Sequence, residues 1–323
     1  MNETLVSIAI PTLERLHYLK EAVASARAQT HARVEILVGD DGRDDALRDW
    51  CLGQVASDGR VRYLRHERRL GLAGNWNALA EAARGEYLVI IGDDDRLLPR
   101  FVSALLCAAT PDASVVFANH YLIDGGGRRL EAESSECTRA YARDLLPPGP
   151  VADAPAAVWR NSVPVCASLI RTADVRRLKF KEDLNTPEIE LFARMAEEGA
   201  RFVFVPEYLA EYRTHAGSAT AAGLLSERLA ERLLDVRVRS EAECHKREFM
   251  SRLLVNAVGR CLEQGDRERA RRFLRSDYYP TPGRGRNGLR ATLSACVQEV
   301  CAALPASVGC NAYRLARRIR HTL

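Results

Sequence analysis

The sequence predicts an α/β fold, a mainly parallel sheet flanked by helices with a helical C-terminal extension, and three observations carry this reading. Short apolar runs end in turn signals, segments of helical spacing alternate with those runs, and the pattern turns wholly helical after about residue 222. With 323 residues, 47% of them hydrophobic and 28% charged, the chain is able to bury a large core.

The elements follow in order. Leu5-Val6-Ser7-Ile8-Ala9-Ile10 is apolar and stopped by Pro11, as a buried strand would be, and Leu16, Leu19, Val23 and Ala26 then recur at helical spacing. Val34-Glu35-Ile36-Leu37-Val38 repeats the strand pattern and ends in the turn signal Gly39-Asp40-Asp41-Gly42. Residues 61–64 predict a third strand, 73–83 a helix, 86–91 a fourth strand and 100–109 another helix. Residues 114–119 suit a further strand. A loop-rich middle is punctuated at 124–127 and 147–150, and residues 202–206 form the last clear strand. Beyond it, Leu225, Leu229, Leu233 and Val236 share one helical face, and Arg-rich helical segments follow, interrupted by an exposed loop at 280–288. The expected division is a domain over residues 1–222 and a basic helical region over 223–323.

The formal charge of +4 is too small to argue for nucleic acid, but it is unevenly spread. Residues 1–223 hold 27 Lys and Arg against 32 Asp and Glu, whereas 224–323 hold 20 against 11. Nine scattered cysteines with no CxxC pair read as reduced thiols, the N-terminus lacks a signal-peptide pattern, and no apolar run approaches a membrane span. A cytoplasmic protein is expected.

Two acid clusters stand where strands end: Asp40-Asp41 after the second and Asp93-Asp94-Asp95 after the fourth. Open parallel sheets collect ligands at the carboxyl ends of their strands. Neighbouring carboxylates repel unless a cation or donors compensate, and Mg²⁺ or Mn²⁺ binds through one or two carboxylates together with phosphate oxygens. A metal-diphosphate site is one reading of the triplet. Acids are also common in turns and at helix caps, so neither cluster decides alone.

In combination they do more. The run Val6 to Thr12, then Tyr18-Leu19, Ala28-Gln29-Thr30 and Glu35 to Gly42, resembles the opening of the family 2 glycosyltransferases of GT-A fold. Gly71-Leu72-Ala73-Gly74-Asn75-Trp76-Asn77, then Gly85 to Asp95 with Pro99 following, continue the resemblance in order. Residues 180–194 and 212–218 are similar to its later motifs, so that the match covers roughly residues 5–220. The resemblance implies transfer of a sugar, usually with inversion, from a nucleotide-diphosphate sugar to a hydroxyl or other nucleophile in glycan, polysaccharide or natural-product synthesis. It implies that Pro11, Thr12 and Glu14 line the nucleoside pocket and that Asp41 contacts a uracil or thymine N–H. Asp94 becomes the principal ligand of Mn²⁺ or Mg²⁺, Asp93 lies near the ribose or the ion, and Asp95 supports the loop or coordinates.

An inverting transfer needs a general base near the attacking hydroxyl. Glu188, in Thr186-Pro187-Glu188-Ile189-Glu190, matches the family's base, with Asp183 and Glu190 as rivals. Pro187 and Glu188 also suit the first turn of a helix. His215 matches a group near the metal, while Arg213 and Ser218 match diphosphate contacts. Departures from the family pattern are Glu14 in place of Asn, Arg43 in place of Ser, Gly92 in place of an acid, and Pro187 before a base that is Glu rather than Asp. An inactive nucleotide-sugar-binding protein of the same fold is the alternative. The basic helix expected at 311–320 suits packing on the catalytic domain, pairing of protomers or contact with an anionic membrane surface.

Overall fold

The computed structural model of the chain describes residues 3–215, 224–280, 297–304, 309–310 and 312–313. Ser218, Cys296, the expected loop beyond residue 280 and nearly all of the expected helix at 311–320 lie outside these residues. Contacts divide the chain into two units, Met1–Gly223 and Leu224–Leu323.

Among its described residues the first unit has nine strands: β1 (Val6–Thr12), β2 (Val34–Asp40), β3 (Val61–Arg65), β4 (Tyr87–Ile90), β5 (Arg96–Leu97), β6 (Ala113–Ile123), β7 (Gly149–Pro150), β8 (Ser168–Arg171) and β9 (Arg201–Arg213). Its helices are α1 (Leu16–Arg27), α2 (Asp45–Ser57), α3 (Gly71–Ala82), α4 (Phe101–Ala108), α5 (Glu131–Ala140), α6 (Ala154–Trp159), α7 (Thr172–Leu178) and α8 (Pro187–Glu197). The sheet order is β3-β2-β1-β4-β8-β6-β9-β5, with β7 pairing β9. The β3-β2-β1-β4 part is parallel throughout, as is the β6-β9 pair. Strand β8 joins the two parts antiparallel, and β5 and β7 run antiparallel to β9.

Every residue of β2 and β4 is buried, which is why β4 reads as an unbroken apolar run and β2 as one interrupted by Glu35, whose carboxylate is held by Ser7 and Arg62. Helix α1 lays Leu19, Ala22, Val23 and Ala26 against the same core as Val6, Ile8 and Ile10 of β1. Three strands escape the sequence pattern, because β5 and β7 are two residues each and β8 is four. Strand β9 is longer than expected. It passes Pro206, which donates no backbone hydrogen bond, where the pairing with β6 shifts register around Asn119.

Chain order places the ligand edge. From β1 the sheet grows one way through β2 and β3 and the other way through β4, so the crevice outside the carboxyl ends of β1 and β4 is a topological switch point. Thr12 pairs with Asp40 and Ala9 with Ile90, which sets both acid clusters beside the end of β1.

The second unit packs α9 (Ser226–Leu234), α10 (Glu243–Gln264) and α11 (Arg267–Leu274) around Leu229, Leu233, Leu254, Val258 and Phe273. Glu227 of α9 and Arg260 of α10 form an ion pair at 2.6 Å. Among the described residues no helix is long and apolar enough to cross a membrane.

Candidate active site

The acid triplet is a tight turn. The N–H of Asp95 donates to the Gly92 carbonyl at 3.1 Å, and the Gly92 N–H donates to Asp95 Oδ2 at 3.3 Å. A Cβ at Gly92 would meet Asp94 Oδ1 and approach Asp95 Oδ2 to 3.2 Å, so a side chain here requires the Asp94 carboxylate to move.

The three aspartates have different surroundings. Asp93 is fully buried; its Oδ2 accepts from the Thr12 hydroxyl at 2.6 Å, and its Oδ1 lies 2.5 Å from Arg15 Nη2. Asp94 Oδ2 accepts from Arg15 Nη1 at 2.8 Å and lies 3.0 Å from His215 Nε2. Asp95 Oδ1 accepts from the Arg213 N–H at 2.9 Å. Burial raises the pKa of Asp93 against the pull of Arg15, and burial followed by the neighbouring Asp94 charge raises that of Asp95 strongly. Burial works against the charge of Arg15, but Asp93 and Asp94 outweigh it and hold the guanidinium protonated. Asp93 and Asp94 thus share the Arg15 guanidinium, while Asp95 is held by the Arg213 N–H.

A cavity of about 680 Å³ opens at this edge of the sheet. Of the expected site residues, Pro11, Thr12, Asp41, Asp94, Asp95 and Glu188 line it. Asp41 Oδ1 and Oδ2 accept from the N–H groups of Leu70 and Gly71 at 2.6 and 2.8 Å, donors left over at the start of α3. Gly71 takes φ 75° there, a left-handed conformation that favours glycine. Asp40 faces inward instead, accepting from the Tyr63 hydroxyl at 2.5 Å and the Gly42 N–H at 2.8 Å.

Glu188 sits in the first turn of α8, which starts at Pro187 as the sequence predicts. It is partly buried by exposed area, and the protein packed around its carboxyl pushes the pKa up to about 7, against a small opposing effect of its own N–H. Its two rivals do not line the cavity. Both carboxylate oxygens of Glu190 are taken by Arg194, at 2.7 and 2.8 Å.

Two expected donor contacts find other partners. Glu14 is exposed, takes φ 58° and accepts from the Arg43 N–H at 3.3 Å, away from the cavity lining. Arg213 is buried, and its guanidinium donates to the carbonyls of Asp94 and Gly125 at 2.7 and 3.1 Å and to Glu21 at 2.6 Å, with its face over Tyr18. It holds the acid turn from behind rather than facing the cavity. Sequence reasoning missed Arg15, whose signal is a basic residue three positions after Thr12 at the strand end that faces the acids. It also assigned no role to Trp76, which lines the cavity. Nε1 of Trp76, Nδ1 of His120 and Oγ1 of Thr186 are buried without a hydrogen-bond partner among the described residues, and all three residues line the cavity. Such orphaned groups are rare unless a ligand or water meets them.

The donor set suits a hard divalent cation. Asp94 opens on the cavity with Oδ1 bearing no hydrogen bond among the described residues, and an imidazole stands beside Oδ2. Among the described residues no group of three or more His, Cys, Asp or Glu side chains could enclose a metal. One or two carboxylates with diphosphate oxygens and waters are nevertheless the usual environment of Mg²⁺.

Residues 7–161 match the family model for glycosyl transferase family 2. The glycosyltransferase GlyG of Streptococcus pneumoniae serotype 4 is 33% identical over 121 residues, 37% of this chain and 40% of that protein. The GalNAc(5)-diNAcBac-PP-undecaprenol beta-1,3-glucosyltransferase of Campylobacter jejuni is 31% identical over 137 residues, 40% of this chain and 44% of that protein. The chain therefore spans about two fifths of the length of these curated relatives. Among solved structures, S. aureus TarS 1–349 in complex with UDP-GlcNAc aligns with a TM-score of 0.67 at 12% identity, covering 97% of this chain and 92% of that one. The mannosyltransferase PcManGT of Pyrobaculum calidifontis, in complex with GDP-Man and Mn²⁺, aligns with a TM-score of 0.61 at 14% identity, covering 99% and 87%. The fold is that of the GT-A-type glycosyltransferases. Residues 7–161, just under half of the chain, are similar to glycosyl transferase family 2.

Proposed function

We propose that the protein is a glycosyltransferase that moves a sugar, with inversion, from a UDP- or dTDP-sugar to an acceptor hydroxyl. One observation carries the reading: Asp94 of the acid turn and Glu188, a carboxyl whose pKa is pushed up to about 7, line the same cavity at the carboxyl ends of β1 and β4. The match of residues 7–161 to the family 2 model, and the nucleotide-sugar complexes of the structural neighbours, support it further.

Each residue then has a task. Asp41 spends one acceptor site of each oxygen on the start of α3, and a carboxylate has about four such sites, which leaves capacity for a base N–H. Trp76 and Pro11 wall the nucleoside end. Asp94, with His215 beside it, would hold Mn²⁺ or Mg²⁺, while Asp95 and Asp93 keep the turn in shape. When bound, the ion supplies charge to offset that developing on the departing nucleoside diphosphate. Glu188 takes the proton of the attacking hydroxyl. A base works best with a pKa near the operating pH, and burial has moved this carboxyl there. Arg15 keeps the acids ordered and offers a guanidinium suited to diphosphate oxygens.

A screen of nucleoside diphosphates by thermal shift, with and without Mn²⁺, tests the donor half. UDP or dTDP should raise the melting temperature more in the presence of Mn²⁺. A chain indifferent to every nucleotide would end the proposal.

A further inference from the structure

The same cavity is lined by polar side chains that the donor chemistry leaves unused, among them Arg143, His120, Cys137 and Tyr141. Arg143 is 1% exposed. Its Nε donates to Asn119 Oδ1 at 3.0 Å, Nη2 reaches Cys137 Sγ at 3.5 Å, and its guanidinium carbon lies 5.5 Å from the centre of the Tyr141 ring. None of these partners is an anion, and among the described residues no carboxylate lies within ion-pair distance. Arg213, equally buried, shows the usual arrangement, with the Glu21 carboxylate at 2.6 Å. A buried charge without a counter-ion is costly, and the cost falls when an anion arrives.

His120 marks the same spot. Its Nε2 lies 3.9 Å from the Cys137 sulfur that Arg143 also touches, and its buried Nδ1 has no partner among the described residues. Burial, and then the charge of Arg143, push its pKa down to about 3, so a neutral ring stands beside the guanidinium. With Nε on Asn119 and Nη2 reaching Cys137, the remaining N–H groups of the planar guanidinium can meet the oxygens of a carboxylate or phosphate.

We propose that Arg143, with His120 beside it, forms a subsite for an oxyanion carried by the acceptor, so that the protein glycosylates a hydroxyl on an acidic sugar or a phosphate-bearing molecule. This rests on the reading of the cavity as a transferase site. It adds what that reading lacks, a chemical property of the acceptor. Asp94 and Glu188 stand for donor and base, and Arg143 ties the acceptor to the wall they share.

The test titrates the full chain, first loaded with UDP and Mg²⁺ so that the diphosphate region is filled, with acetate or inorganic phosphate while melting temperature is followed. Native protein should show saturable stabilisation by at least one of the two, and which one separates a carboxylate from a phosphate acceptor. Arg143→Gln should abolish it, and Arg143→Lys, which keeps the charge but not the fork, should weaken it at least fivefold. If Arg143→Gln does not fold, the Arg143→Lys comparison decides. Absence of stabilisation in the native chain, or equal stabilisation in a folded variant, overturns the subsite. If UDP itself fails to bind, the donor reading falls, and the same titration without nucleotide still judges Arg143.

Discussion

Nε2 of His215 lies 3.0 Å from Oδ2 of Asp94, although 121 positions separate them in the chain. Arg15 donates to the same oxygen at 2.8 Å. One carboxylate thus gathers the segments that follow β1, β4 and β9, and every part of the proposed donor chemistry depends on its position.

On the proposed function, Asp94→Asn removes the charge that would hold the ion but keeps the shape of the turn. UDP should then bind without any Mn²⁺ dependence in calorimetry. His215→Ala should lower Mn²⁺ affinity by about 10- to 100-fold, the range seen when a group orienting a ligand is lost. An Asp94→Asn protein with the native Mn²⁺ response would remove Asp94 from the site.

Glu188→Gln should leave UDP binding intact and cut transfer by about 10²- to 10⁴-fold, the usual worth of a positioned base. In the native chain the rate should fall as pH drops below about 7, where the carboxyl takes up its proton. Unchanged turnover would remove Glu188 from the role.

Stability carries the opposite signature of the same group. A carboxyl whose folded pKa exceeds its unfolded one stabilises the fold when protonated, fully below about 4.5, and this is lost as pH rises through about 7. Glu188→Gln should therefore be more stable than the native chain at pH 8, by up to about 3 kcal/mol, and equal to it near pH 4. Urea denaturation at the two pH values measures the difference; a pH-independent gap would contradict the burial of this carboxyl.

Arg213→Ala strips the support from behind the acid turn, leaving the Asp94 carbonyl without its donor and Glu21 with Arg96 alone at 3.4 Å. Stability should fall by about 1–3 kcal/mol in urea denaturation, the scale for leaving a buried polar group without its partner. A loss of UDP binding with no change in stability would instead mean that Arg213 meets the diphosphate itself.

Gly92→Ala forces a Cβ against Asp94 Oδ1. Crowding of this kind costs about 1–3 kcal/mol, and UDP–Mn²⁺ binding should weaken at least tenfold in calorimetry. Native affinity would show that the turn has slack the structure does not.

Much of this edge of the sheet was legible before the structure because its signals are local. Apolar runs ending in acids locate both the strands and the carboxylates, as at Ile36 to Asp41 and Val89 to Asp95, and Pro187 announces the start of α8. What could not be read depends on pairing across the chain. Strand β8 is only four residues, and nothing local says that it lies antiparallel between β4 and β6. Arg213 looked like a diphosphate ligand because an arginine near acids has two possible faces, and only the path of β9 turns this one toward Glu21. Arg143 sits in the loop-rich middle, where no periodicity marks a residue as buried.

The most direct measurement is a crystal structure with UDP and Mn²⁺, read by anomalous scattering from the metal. One manganese peak is expected against Asp94, with pyrophosphate oxygens on its far side and the uracil beside Asp41. Manganese bound elsewhere, or a uracil remote from Asp41, would contradict it.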